Sequence, residues 1–333
     1  MKLHRIASCL FVLSACGGGN DNLPPPPPPP PPPATVDAAA PTTTSVPANP
    51  PTPPPRPPVT LTPGAASPDP TPAPTVKLTA PTRDQVIATD KAGAFEVKLD
   101  VKNWQTAPGS QHVHLILDNK PYKPIYDTKA PVKLNDLAGG EELKEGRHVL
   151  VAFPSRANHE SVKTKDALTA IEFWIGKKGE TKDDPTKKPM LVYSRPKGDY
   201  NGDMANHVLV DFQLVNDTLA DGKDHVNVSV SGPGITDPLT QKVTKFGPPL
   251  YLDNLQNGSY TLKLDLVDAS DKPIDGPWNS TTRTIKVDHD APMDPGMSHG
   301  AATPAASSSG DKKNAPAPAS TPATMGTAPF TPH

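Results

Sequence analysis

His112-Val113-His114 is the pairing in this chain with the sharpest chemistry. On a β-strand, residues two apart point to one face about 6.5–7 Å from each other. Two neutral imidazoles so placed, joined by a third group, suit copper or zinc. His148 or His159 could supply that third group if its strand or loop lies alongside. The competing reading leaves His112 and His114 on a solvent face while Val113, Leu115 and Leu117 fill a core. Neither a cysteine nor a close carboxylate completes a recognised metal motif there. The alternating residues Asp199-Tyr200-Asn201-Gly202-Asp203 offer oxygen ligands, but Met204 and Val210 stand where a calcium loop needs glycine and glutamate. Trp104, Trp174 and Trp278 are candidate platforms for sugar rings, although Trp174 within a strand beside Phe173 and Trp278 at a loop end after Gly276-Pro277 read rather as packing residues. There is no Gly-x-Ser-x-Gly elbow and no phosphate-cradling loop, so the expectation is no catalytic residues, no cofactor and no enzyme.

The elements that must position these residues read as strands. Phe95, Val97, Leu99 and Val101 alternate with Glu96, Lys98, Asp100 and Lys102. The same period of two recurs at Val113–Leu117, Val149–Phe153, Ile171–Ile175, Val208–Leu214, Val226–Val230, Tyr260–Leu266 and Ile285–Val287. Turn formers such as Asp118-Asn119, Gly139-Gly140 and Asn257-Gly258 separate them, and no stretch has a helical period. The pattern predicts an all-β chain.

The two halves of this region match. Residues 95–101 align with 208–214, His112-Val113 with His225-Val226, 131–137 with 249–255, and Gly146–Leu150 with Gly258–Leu262. A period of about 113 residues is one sandwich domain repeated. The alignment also sets His148 opposite Tyr260. The expected divisions are a sandwich at 76–178, a polar linker at 179–188 and a second sandwich at 189–288. The flanking regions are different in kind. Of 333 residues 47 are proline, and they crowd the ends. Pro24 to Pro33 are unbroken, and Pro, Ala, Thr, Ser and Val continue to Thr75. Residues 16–75 are expected to be a disordered, extended stalk and 289–333 a disordered tail. A net charge of −2 argues against a general nucleic-acid binder.

Three resemblances add location and fold. Basic Lys2 and Arg5, an apolar run from Ile6 to Val12 and then Leu13-Ser14-Ala15-Cys16 follow the order of a secretory signal. The tetrad resembles the lipobox of bacterial lipoproteins, which implies a signal peptide at 1–15 and a lipidated Cys16 as lipid anchor. Gly17, rather than aspartate, implies an outer-membrane destination. The apolar run is shorter than the roughly 20 residues a spanning helix needs. Cys9 falls within the signal, so the mature chain keeps one cysteine, the anchor. The stretch Leu255-Gln256-Asn257-Gly258-Ser259-Tyr260-Thr261-Leu262 resembles the tyrosine corner of immunoglobulin-like and fibronectin type III-like modules. Phe153-Pro154-Ser155-Arg156 with His159-Glu160-Ser161, and Tyr193 to Gly198, resemble segments of two-domain bacterial envelope proteins. The resulting expectation is a membrane-anchored envelope lipoprotein whose two immunoglobulin-like sandwiches bind a protein or a glycan. The alternative is a periplasmic copper- or zinc-binding protein using His112 and His114.

Overall fold

Apolar residues at every second position, interrupted by turn formers, leave the chain little choice but strands. The computed structural model describes residues 56–180 and 182–293. The expected signal peptide, Cys16, the stalk up to residue 55 and the tail from residue 294 lie outside the described residues. Seventeen strands form: β1 (Thr60–Pro63), β2 (Thr75–Ala80), β3 (Val86–Ile87), β4 (Glu96–Lys102), β5 (His112–Leu117), β6 (Lys123–Ile125), β7 (Val132–Lys133), β8 (Gly146–Ser155) and β9 (Thr169–Ile175) come first. They are followed by β10 (Met190–Arg195), β11 (Gly198–Asn201), β12 (His207–Val215), β13 (His225–Ser231), β14 (Leu239–Val243), β15 (Leu250–Asp253), β16 (Gly258–Val267) and β17 (Ser280–Asp288). Among the described residues helix is confined to one turn at Thr89–Ala92 and short 3-10 turns.

The chain folds as two immunoglobulin-like β-sandwiches. In the first, a sheet ordered β2-β4-β7 faces one ordered β3-β9-β8-β5-β6. Val76 and Val97 meet Val113, Leu115, Leu150 and Phe173 between them. In the second, β1-β15-β12-β10 faces β11-β17-β16-β13-β14, with Val208, Val210 and Leu252 against Val228, Leu262 and Leu264. The repeat seen in the sequence is structural, since β4, β5 and β8 correspond to β12, β13 and β16. After β2 and after β10 the chain crosses to the other sheet at a proline, Pro81 or Pro196, where β3 and β11 pair in parallel with the last strand of their module, β9 and β17. Tyr260 makes the anticipated corner. Its hydroxyl donates to the Pro233 carbonyl (2.8 Å) and accepts from the Gln256 amide (2.7 Å).

One expectation needs correction. The stalk does not stay unstructured to residue 75. Val59 joins the core of the second sandwich, and β1 pairs antiparallel with β15, Leu61 opposite Leu252. Val59 and Leu61 alternate with threonine, and an edge strand tolerates the following Pro63. The polar segment between the two modules is anchored. Asp184 is buried, bonded to Arg83 (2.7 Å) and to the Thr186 amide (2.8 Å), because a carboxylate withdrawn from water must find partners.

The two sandwiches also share an apolar seam. Ile116, Val151 and Phe153 of the first pack against Met190, Val192 and Trp278 of the second. Every residue of β5 is therefore buried, on both faces. This seam decides what the histidines see.

Candidate metal centre

β5 sends Val113, Leu115 and Leu117 into its own core, as the alternation requires. His112 and His114 lie on the other face, which is roofed by the second module rather than by water. Both are 0 % exposed, so the solvent-face reading fails for a reason of packing between modules. The third imidazole is His159. The β8 strand ends at Ser155, opposite His112, and the chain then makes a tight excursion closed by a bridge between Ser155 and Ser161. Within it the Arg156 amide donates to the Glu160 carbonyl (2.9 Å) and the His159 amide to the Arg156 carbonyl (2.9 Å). His159 itself takes φ of 67°, a conformation uncommon outside glycine. Such strain is held in place by surrounding structure and clusters at functional sites. The excursion turns the His159 ring back over β5, where it is 4 % exposed.

The three rings converge on one point. His112 Nε2 lies 2.9 Å from His114 Nε2 and 2.9 Å from His159 Nδ1, and His114 Nε2 lies 3.4 Å from His159 Nδ1. The corners of that triangle are about 1.8 Å from its centre, against metal–nitrogen distances of about 2.0–2.1 Å for zinc. An ion slightly out of the plane would meet all three. His112 Nδ1 donates to the Ser110 carbonyl (2.8 Å), which fixes the tautomer and leaves Nε2 with a lone pair facing the triangle. A single proton can bridge one edge of such a triangle, whereas a metal ion accepts all three lone pairs together. Among the described residues, these three form the one group of histidine, cysteine or carboxylate ligands able to hold an ion.

Burial, reinforced by the charges of Arg195 and Lys197, holds the His112 imidazole down to about 4. His114 is lowered well below the usual histidine value, again chiefly by burial. Both rings are consequently neutral, the form that binds metal.

The second module supplies the roof. Ser194 Oγ lies 3.2 Å from His114 Nδ1, and Lys197 Nζ donates to the Tyr122 carbonyl (2.8 Å). Tyr122 stacks on His114 with ring centroids 3.5 Å apart. It is placed there by the tight turn at Asp118-Asn119, both at positive φ, and by β6, whose Pro124 sits opposite His114. Arg195, Lys197 and Arg283 surround this corner, and no carboxylate pairs with any of them among the described residues. Arg195 rests over the Tyr122 ring (5.2 Å to its centroid), as does Lys197 (4.1 Å), and Arg283 over Tyr193 (4.3 Å). Arg195 is 2 % exposed; its Nη1 bonds the Tyr200 hydroxyl (3.0 Å).

The other sequence candidates go elsewhere. His148 projects into the core side of β8, stacked on Phe173 and bonded to Asp118 (2.6 Å) and the Lys144 carbonyl (2.7 Å). His225, the counterpart of His112, bonds Asp271 (2.7 Å), and Asn227 stands where the second module would need a second imidazole. The acidic stretch from Asp199 is strand β11 with Tyr200 buried, continuing into a 3-10 turn at Gly202–Ala205. All three tryptophans are buried, Trp104 donating to the His112 carbonyl (3.0 Å). Tyr122 and Arg195 had no mark in the sequence beyond their place in stretches with no assigned chemistry.

No protein-family model matches the sequence, and no curated protein matches it. Solved structures with similar arrangements include the fibronectin(III)-like modules of Clostridium thermocellum CbhA, at 13 % identity and TM-score 0.24, covering 66 % of this chain and 98 % of that one. The two tandem V-type regions of VCBP3, a chitin-binding protein, share 11 % identity at TM-score 0.21, covering 65 % and 99 %. SGBP-B of the Bacteroides ovatus mixed-linkage glucan utilization locus, in complex with a mixed-linkage heptasaccharide, shares 12 % at TM-score 0.17, covering 64 % and 70 %. Likenesses this distant concern fold alone, and no residue role passes from them to this chain.

Proposed function

We propose that this chain is a lipid-anchored protein of the bacterial envelope that binds copper or zinc at His112, His114 and His159, in a centre closed by contact between its two modules. The observation that carries the reading is the convergence of three buried imidazole nitrogens within hydrogen-bonding distance of one another. Desolvating three polar rings costs stability unless something pairs with them. An ion that prefers nitrogen ligands is the partner that engages all three. The anchor rests on the resemblance of Leu13–Cys16 to a lipobox.

Titration of the protein with copper(II) and with zinc tests the centre, against the His112→Ala/His114→Ala variant. One equivalent bound at micromolar concentration by wild type alone is expected; equal behaviour of the two proteins ends the proposal. Incorporation of labelled palmitate into wild type, abolished by Cys16→Ala, tests the anchor separately.

Engagement of a protein or glycan has less to stand on. The tryptophans that would stack on sugars are buried, and Val86 and Met293 are the large hydrophobic residues exposed among those described.

A further inference from the structure

A charge withdrawn from water destabilises the fold unless an opposite charge or a full set of hydrogen bonds replaces the solvent. Arg195 is 2 % exposed and has neither. Its Nη1 donates to the Tyr200 hydroxyl (3.0 Å), and among the described residues no atom accepts from Nε or Nη2. Those two nitrogens share one edge of the guanidinium. Their parallel N–H bonds form the fork that grips two oxygens of a carboxylate or phosphate at once. The carboxylate opposite Arg195 in the sheet, Asp211, is engaged instead by Lys163 and by the Ser161 amide (2.9 Å). The charged neighbours of Arg195 are cations. Lys197 and Arg195 lie over the same Tyr122 ring, 4.1 and 5.2 Å from its centroid. Lys197 Nζ donates to the Tyr122 carbonyl (2.8 Å), and Arg283 to the backbone carbonyls of Ser194, Asn119 and Lys120 at 3.3–3.4 Å. The Tyr193 hydroxyl, on the ring that Arg283 covers, is buried with no partner among the described residues. Burial and the charges of Arg195 and Arg283 hold Lys197 down to about 8, as crowded positive charges do with nothing negative between them.

We propose that Arg195, with Lys197 and Arg283 around it, binds a small inorganic oxyanion of the phosphate or sulfate kind at the corner where the two modules meet. The free edge of Arg195 takes two oxygens of the ion, and Lys197 and Arg283 supply the rest of the opposing charge. Burial sets the size, because a guanidinium 2 % exposed is out of reach of a side chain on another macromolecule. Lys197 is half-buried while Arg195 and Arg283 are buried, so it marks the side by which the ion enters. The fork favours paired oxygens over a halide, which offers a single point to both N–H bonds. The reading stands apart from the metal centre, since these cations lack a counter-charge whether or not the imidazoles hold an ion. Bound there, the anion joins the modules, as the cations belong to the second and the Tyr122 ring beneath two of them to the first.

The test titrates sodium phosphate into the metal-free full chain at constant ionic strength, followed by calorimetry and by the phosphorus NMR signal of the ion. Wild type is expected to bind a single phosphate at submillimolar concentration, with a thermal midpoint that rises as the site fills. Arg195→Gln should abolish binding, and Lys197→Gln should weaken it about tenfold. Lys286→Gln, exposed on the strand that carries Arg283, should leave it unchanged. No saturable binding by wild type at millimolar phosphate overturns the proposal. Binding that Arg195→Gln leaves unaltered reports an adventitious ion only and overturns it as well. Should Arg195→Gln not fold, Lys197→Gln decides: weakened binding supports the site, and undiminished binding ends it.

Discussion

His159 Nδ1 sits 2.9 Å from His112 Nε2 although 47 positions separate them in the chain. The contact exists because the excursion after β8 folds back beside the strand on which His112 lies. It brings together an imidazole from a strand and one from a strained loop, and a module from the other half of the chain seals them in.

If His159 is a ligand, His159→Ala should weaken copper or zinc binding by roughly a hundredfold or more, beyond the loss typical of an outer-shell change. His148→Ala, on the opposite face of the same sheet, should leave the affinity unaltered. Dialysis against a competing chelator measures both.

The metal-free protein should lose stability in mild acid. Folded His112 protonates only near pH 4, and folded His114 is also held well below the ordinary value. In the unfolded chain both return to about 6.5. Below that pH the unfolded state takes up protons that the folded state refuses, so unfolding gains favour as pH falls from about 6.5 towards 4. For two such groups the slope approaches about 2.7 kcal/mol per pH unit. Urea midpoints measured across this window should fall steeply, and the His112→Ala/His114→Ala variant should flatten the profile. A saturating metal should oppose the fall, adding about 2.7 kcal/mol at a hundred times its dissociation constant.

The seam between the modules is the roof of the centre. Trp278→Ala removes a large buried side chain from it and should cost about 3–5 kcal/mol. Calorimetry should then show two separated unfolding transitions where wild type shows coupled ones, and metal should be lost more readily. A single transition with unchanged affinity would mean that the seam does not hold the site shut.

β1 makes a separate prediction. Val59→Ala should lower the stability of the second module by about 1–3 kcal/mol, because Val59 sits in its core. Hydrogen exchange at the amides of β15, the partner of β1, should speed up, while those of β5 and β8 are unmoved.

The strands were legible because a half-buried sheet imposes a period of two on side-chain chemistry, and the repeat because two modules obey that rule in the same order. The Asp118-Asn119 turn and the Tyr260 corner were legible for a local reason, since each fits a backbone geometry few other residues take. The burial of His112 and His114 was not. Alternation tells which residues share a face but not what lies over it, and here Met190, Val192 and Trp278 of the other module pack on Ile116, Val151 and Phe153 of that face while Ser194 reaches His114. Val59 and Leu61 were hidden by the prolines around them, although their spacing already matched an edge strand.

By itself the sequence determined the all-β class, the doubling of the module and the pair of imidazoles on one face. Those follow from neighbours along the chain, where spacing alone sets direction. Tertiary structure decided between His148 and His159 as the third ring, brought Tyr122 to the triangle and set Arg195 and Lys197 beside it. These choices join strands, loops and modules far apart in the chain, and packing between distant surfaces leaves no period for a reader of the sequence to find.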